Sequence, residues 1–337
     1  MITPNRLASA LLALLITVCF APPLSASDAP VDAPLWLSDG PPDSGFAQRL
    51  RRSHGGMIEM ARDGSTAKRL WLRSGDSPHS SGYLTAAQAA GLSFRLTTPG
   101  HELQELEPFS AEPGTGLHFA IPEEGYYNVY AVQRTLAADT LTVQVAKAEL
   151  LRHLCSAGHD YPAELVAPRM LNEVPLEVIR KRLPKEDFHT HLASGDRIEF
   201  QVLHRGRPAG GATLRLVSGT DWSRTVTTDA RGIASFQLIR DYYPDWQFFN
   251  RRRQDPFLAI AEYTVADSGQ YQGSPYQRVR YLATLPGHYM PPTRDYHSYA
   301  YGLTLAVIAC LLGALATYLY RRRRWSPPRE EAFDEKA

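Results

Sequence analysis

The sequence predicts an all-β exported region, built as two tandem β-sandwich-like domains, followed by one C-terminal transmembrane helix. Three observations carry this expectation. From about residue 55 to 146, and again from 187 to 285, short apolar stretches alternate with turn residues, and no amphipathic helix intervenes in the second of these, which is the punctuation of strands. Within those stretches the period is two: LTVQV sets Leu141, Val143 and Val145 on one face, and SGDRIEFQVLH does the same with Ile198, Phe200 and Val202. Finally, residues 299–320, YAYGLTLAVIACLLGALATYLY, carry no charge and as a helix are long enough to cross about 30 Å of hydrocarbon.

In chain order, residues 1–27 read as a signal peptide. Arg6 precedes the apolar run LASALLALLITVCFA, and Ser25 and Ser27 stand at −3 and −1 for a cut before Asp28. Residues 28–54 are rich in Pro, Asp and Gly at their start and read as a flexible leader. The first β-domain is expected over 55–146, with Tyr127, Val129 and Ala131 on one strand face and breaks at PEEG and LAADT. Residues 147–186, with Pro162, Pro168 and Pro175, read as a connector of little regular structure that opens on a short helical turn, KAELLRHLC. The second and better defined β-domain covers 187–285, where TTDARG is a turn with Gly232 available for a positive φ. A juxtamembrane stalk, 286–298, leads to the span at 299–320.

Arg321, Arg322, Arg323 and Arg324 follow that span at once, so the 321–337 tail is expected on the cytoplasmic side, with Tyr296, Tyr299, Tyr301 and Trp325 as interfacial aromatics. The expected location is a bacterial inner membrane, single-pass, with the N-terminal region periplasmic.

Charge and cysteine usage narrow the function classes. One Arg precedes residue 28, and six basic and four acidic groups follow residue 320, which leaves 29 Lys+Arg against 31 Asp+Glu for residues 28–298. So balanced a surface argues against nucleic acid, where a concentrated basic face supplies most of the affinity. Of three cysteines, Cys19 leaves with the signal peptide and Cys310 lies in the span. Cys155 alone remains in the exported part, so that part is held by burial rather than by a disulfide framework. H-E-x-x-H, G-x-S-x-G, P-loop and dinucleotide fingerprints are all missing, and an enzyme is not expected.

The stretch SGDRIEFQVLHRGRPAGGATLRLVSGTDWSRTVTTDARGIASFQLIRDY carries S-G-D at 194–196, a G-x-P turn at Gly206 and Pro208, G-A at 211–212, and T-D-x-x-G from Thr228 to Gly232. On these elements it resembles the transthyretin-like, carboxypeptidase-regulatory-like sandwich. Within that class it is similar to a bacterial envelope family labelled as a nickel-transport-complex transmembrane subunit. TPGHELQELEP at 98–108 is loosely similar to the same family's opening. The resemblance implies a β-sandwich and a link to nickel or cobalt uptake, with metal-transport subunits or other envelope proteins as partners.

Two clusters offer candidate chemistry. RHLCSAGHDY holds His153, Cys155, His159 and Asp160 on a turn-prone segment; nitrogen with sulfur suits a divalent transition metal such as nickel, cobalt, copper or zinc. The same set also reads as a thiol activated by neighbouring imidazoles, or as an ordinary turn with solvated polar side chains. FHTH places His189 and His191 on one face if that segment is a strand, as a second imidazole pair or as a polar strand edge. His288, Met290 and His297 read as stalk residues near the headgroups. The expected function is thus a membrane-anchored periplasmic binding module accessory to divalent metal uptake. The alternatives are an envelope interaction scaffold without metal and a thiol redox factor.

Overall fold

The computed structural model describes residues 33–40, 58–60, 65–111, 114–153, 170–171, 173–184, 186–187, 189–241 and 254–325. The N-terminal half contributes β1 (Leu35–Ser38), β2 (Ile58–Met60), β3 (Thr66–Ser74), β4 (Gly82–Tyr83), a one-turn helix α1 (Ala86–Ala89), β5 (Ser93–Thr97), β6 (Leu103–Glu105), β7 (Pro108–Ala111) and β8 (Gly114–Ala120). A long hairpin follows, β9 (Gly125–Ala137) and β10 (Thr140–Arg152). The C-terminal half contributes β11 (Leu176–Lys181), β12 (Arg197–His204), β13 (Arg207–Pro208), β14 (Thr213–Ser218), β15 (Ser223–Thr227), β16 (Ile233–Gln237), β17 (Asp255–Val265), β18 (Gly269–Tyr271), β19 (Ser274–Tyr276), β20 (Arg278–Tyr289) and the apolar helix α2 (Thr293–Arg324). The all-β class with a single C-terminal apolar helix is as the sequence predicts. Ala300–Arg324 is long and apolar enough to cross a membrane.

The arrangement of the strands differs from two tandem sandwiches. Strands from both halves form one eight-stranded sheet, ordered β15-β14-β17-β20-β10-β9-β5-β6. The halves meet where β10 and β20 pair in parallel, from Thr140↔Arg278 to Ala146↔Thr284. A six-stranded sheet, β1-β3-β8-β7 with β2 and β4 added to β3, covers one face of this central sheet; a smaller sheet, β11-β12-β13 with β16 on β12, covers the other.

The reason lies in β10. Its odd positions Leu141, Val143 and Val145 enter a core with Leu176, Val178, Phe200 and Phe236, as the alternation predicts. Its even positions are buried too: Ala146 and Ala148 enter a second core with Leu37, Leu70, Leu72 and Leu117. A strand buried on both faces needs a layer on each side. Tyr127, Val129 and Ala131 of β9 belong to that second core. The two alternations read from sequence therefore point to opposite faces of the same sheet.

Four expectations are corrected. The leader contains β1, every residue of which is buried. It lies over the parallel seam: Leu35 donates its N–H to Gln144 Oε1 (2.8 Å), and Thr284 Oγ1 donates to Leu35 O (2.6 Å). Gln144, 2 % exposed, is polar because it satisfies the backbone of that edge strand. The connector is structured at both ends, since β10 runs through Arg152 and β11 starts at Leu176. The helical turn expected at KAELLRHLC is strand as far as Arg152, because β9 pairs with it over its whole length. The stalk begins later than expected, since residues 286–289 still pair with β17. The TTDARG turn is as read: Gly232 has φ +72, and a Cβ there would lie 2.4 Å from Val202 O.

Candidate functional site

Arg152, buried at the end of β10, donates to Ile121 O (2.7 Å) and to Pro122 O. That clamp fixes the exit of the strand and so places His153, the next residue. His189 arrives from a different direction. Asp187 Oδ1 accepts the His189 N–H (3.0 Å) and the Thr190 hydroxyl (2.6 Å), while Thr190 Oγ1 accepts the Asp187 N–H (3.0 Å). This is a side-chain-stabilised turn. The Thr190 hydroxyl, with the His189 and Thr190 amides, holds the Asp187 carboxyl below its ordinary value.

The expectation that His189 and His191 share a strand face is therefore corrected. His189 sets its ring against His153, with centroids 5.3 Å apart and planes at 77°. His191 lines a cavity described below. Cys155, His159 and Asp160 lie outside the described residues. Among the described residues, no group of three or more His, Cys, Asp or Glu side chains is placed to hold a metal ion. Two imidazoles that sequence reading assigned to separate clusters thus meet as a pair.

A cavity of about 580 Å³ has Leu151 and Thr190, close in sequence to this pair, among its lining residues. Its two long walls are residues 148–151 of β10 and residues 285–288 of β20, the stretches just past the last paired residues of the parallel seam. The remaining walls include Trp36 and Asp39 from β1 and its exit, Tyr126, Arg180, Phe257 and residues 190–192. Met290 N donates to Leu192 O (2.8 Å) and Ser194 N to Met290 O (2.9 Å), which ties that last segment to the end of β20. Gly287 is required in the wall, because a Cβ there would lie 2.2 Å from the Phe257 ring.

Most charged side chains around the cavity already have partners. Arg73 stacks over Trp36 (4.5 Å) and Tyr83 (4.9 Å) and donates to Pro78 O (2.9 Å) and Ser81 O. Arg180 is held by Glu186 at 2.9 and 2.5 Å. Burial, reinforced by the charge of Glu149, pushes the Tyr126 hydroxyl up to about 12, so it is a neutral donor at physiological pH. Asp39 Oδ1 and His288 Nε2 face each other at 3.9 Å. Sequence reading assigned His288 and Met290 to the stalk and missed Asp39. No periodicity marks residues brought together by the ends of strands.

Behind the wall, Lys147 (1 % exposed) sits between Glu149 and Glu177 (2 % exposed), with Nζ 2.8 Å from an oxygen of each. Tyr130 donates its hydroxyl to the same Glu177 oxygen (2.8 Å), and Leu171 N donates to the other (3.2 Å). Burial alone would depress the Lys147 ammonium; the two carboxylates outweigh it and raise it above the ordinary lysine value. Burial and the adjacent Glu177 raise the Tyr130 hydroxyl as well. The network joins β9, β10 and β11 and fixes the strand from which His153 emerges. Neither a protein-family model nor a curated protein matches the chain.

Proposed function

We propose that the protein is a membrane-anchored periplasmic binding module accessory to divalent metal uptake, with His153 and His189 as the nucleus of its metal site. The carrying observation is the 5.3 Å separation of their rings. Two imidazoles on one tetrahedral ion, with metal–nitrogen bonds of about 2.1 Å, put their ring centroids about 5 Å apart. Cys155 follows His153 by two residues in the sequence, and His159 and Asp160 follow soon after; these supply the further sulfur, nitrogen and oxygen donors of the proposal, with His191 as an alternate. Nickel or cobalt is favoured by the resemblance of residues 187–285 to the envelope family. The donor set also admits copper and zinc.

Calorimetry of Ni²⁺, Co²⁺, Cu²⁺ and Zn²⁺ with the reduced full-length protein in detergent tests the site. The expected result is a single site that His153→Ala, His189→Ala and Cys155→Ser each weaken by about tenfold or more. His118→Ala, an exposed change on β8, leaves it intact. Equal affinities in all variants would remove the site.

The anchoring half of the proposal rests on α2 and on the four arginines that close it. Arginines beside a span mark the cytoplasmic face. A reporter active only in the cytoplasm, fused after Ala337, is therefore expected to be active. Neutralising Arg321–Arg324 should lower that activity, and activity of a periplasm-only reporter at the same position would reverse the topology.

A further inference from the structure

The cavity owes its existence to a break in the hydrogen-bond ladder, and the register shows where the break falls. At the start of the parallel seam Asp139 O accepts from Gln277 N (2.8 Å), which precedes the strand, and from Arg278 N (3.3 Å), the first residue of β20. Alternate residues of a strand turn both backbone groups to the same edge. The amides of residues 280, 282 and 284 therefore face β10, and residue 286 is next in the series. Residue 286 is proline and has no N–H to give, so the rung to the Lys147 carbonyl cannot form, and the paired register ends at Ala146↔Thr284.

Both strands nevertheless continue. β10 stays paired with β9 through Arg152, and β20 stays paired with β17 through Tyr289, with Pro286 opposite Leu258. Each keeps one satisfied edge and turns the other toward the gap. On β10, that edge carries the Lys147 carbonyl and both backbone groups of Glu149 and Leu151. On β20, it carries the Pro286 carbonyl and both backbone groups of His288.

Four consecutive residues on each side thus line one cavity of about 580 Å³, within the range of ligand sites. Its arginines are engaged by Glu186, by aromatic faces and by backbone carbonyls, and Glu149 is engaged by Lys147. What the long walls offer is backbone donors and acceptors at strand spacing. That pattern is complementary to another polypeptide backbone rather than to a compact charged ligand. Trp36 packs with Leu258 on one face of the sheet and Phe257 lies in the core on the other, so aromatic surface is available to side chains pointing either way.

We propose that this gap is a docking site for an extended segment of a partner polypeptide, which adds to the β10 edge at Lys147, Glu149 and Leu151 as a strand inside the sheet. About four residues of the partner fill it, since four residues of strand span about 13 Å. The segment carries uncharged side chains and no proline at the positions whose amides face β10.

Full-length protein in detergent is panned with a phage-displayed library of random seven-residue peptides, and enriched peptides are synthesised with single backbone N-methyl groups at each position. The expected result is a loss of about tenfold in affinity at every second position and little effect between them. Binding should also slow amide exchange at Glu149 and Leu151. Pro286→Ala restores the missing donor, lets the seam close by one rung, and should weaken the same peptides about tenfold while leaving the protein folded. Failure to enrich any peptide above an unrelated control, N-methyl effects without alternation, or equal binding by Pro286→Ala would each overturn the assignment.

Discussion

Replacing Lys147 with Met lowers the unfolding free energy of the full-length protein by about 3–5 kcal/mol, the usual cost of removing one partner from a buried charge network. Met preserves most of the stem, so the loss isolates the ammonium. Glu149 and Glu177 are then left with no cation between them, one of them 2 % exposed. Denaturant titration at pH 7 measures the effect. A second substitution, Glu177→Gln, should recover part of the loss, because it removes one of the stranded charges; the double-mutant cycle gives the coupling directly. The pH dependence has a definite sign. The folded-state value of Lys147 is raised, so its contribution is complete below the ordinary lysine value of 10.5. It fades as pH climbs through the raised value. The wild type therefore loses stability at that alkaline extreme, and Lys147→Met lacks that component. A cost below about 1 kcal/mol, as for a surface pair, would show that the network contributes nothing of note.

Trp36→Ala is expected to cost about 3–5 kcal/mol, as for other buried large aromatics. Trp36 is 4 % exposed, packs on Val217, Leu258 and Ile260, and donates Nε1 to Ser81 Oγ at 3.0 Å. Its removal takes away the surface on which Arg73 stacks and loosens β1 from the parallel seam. Leu103→Ala, at a half-exposed residue on the outer strand β6, is the control and should change stability by no more than about 0.5 kcal/mol. If the two variants melt alike, the 35–38 segment is an ornament on the sheet rather than a part of it.

What the sequence disclosed was local. Alternation in LTVQV and IEFQV identified β10 and β12, and the positive φ at Gly232 followed from its turn. Alternation does not say whether the intervening positions meet water. Thr142 and Gln144 look like a solvent face and are buried, because a second layer lies over them. The seam pairing Thr140 with Arg278 joins segments far apart in the chain, and nothing at either position names the other. LWLS was hidden by flanking Pro, Asp and Gly, since four residues are too few for a period to register. The site was half legible. Histidine spacing drew attention to 153, 189 and 191, but the contact of His153 with His189 depends on a turn made by Asp187 and Thr190. The proline that interrupts the seam is visible in the sequence, yet its meaning depends on which edge its missing amide would face.

The place of β20 sets a timetable for folding. It is the final strand of the central sheet, and residues 290–292 alone separate it from α2. A chain that emerges from its N-terminus makes the β9–β10 hairpin early, but Leu141, Val143 and Val145 then have no C-terminal half to pack against. The partner strand appears only with residues 278–289. At about 5–20 residues per second, that delay is roughly 7–30 s, a long exposure for an unpaired apolar strand edge. Completion of the sheet and synthesis of the apolar helix thus fall in the same interval. The nascent chain must be sheltered until its last strand arrives, and a truncation that ends before residue 278 should be recovered as aggregate rather than as a smaller folded protein.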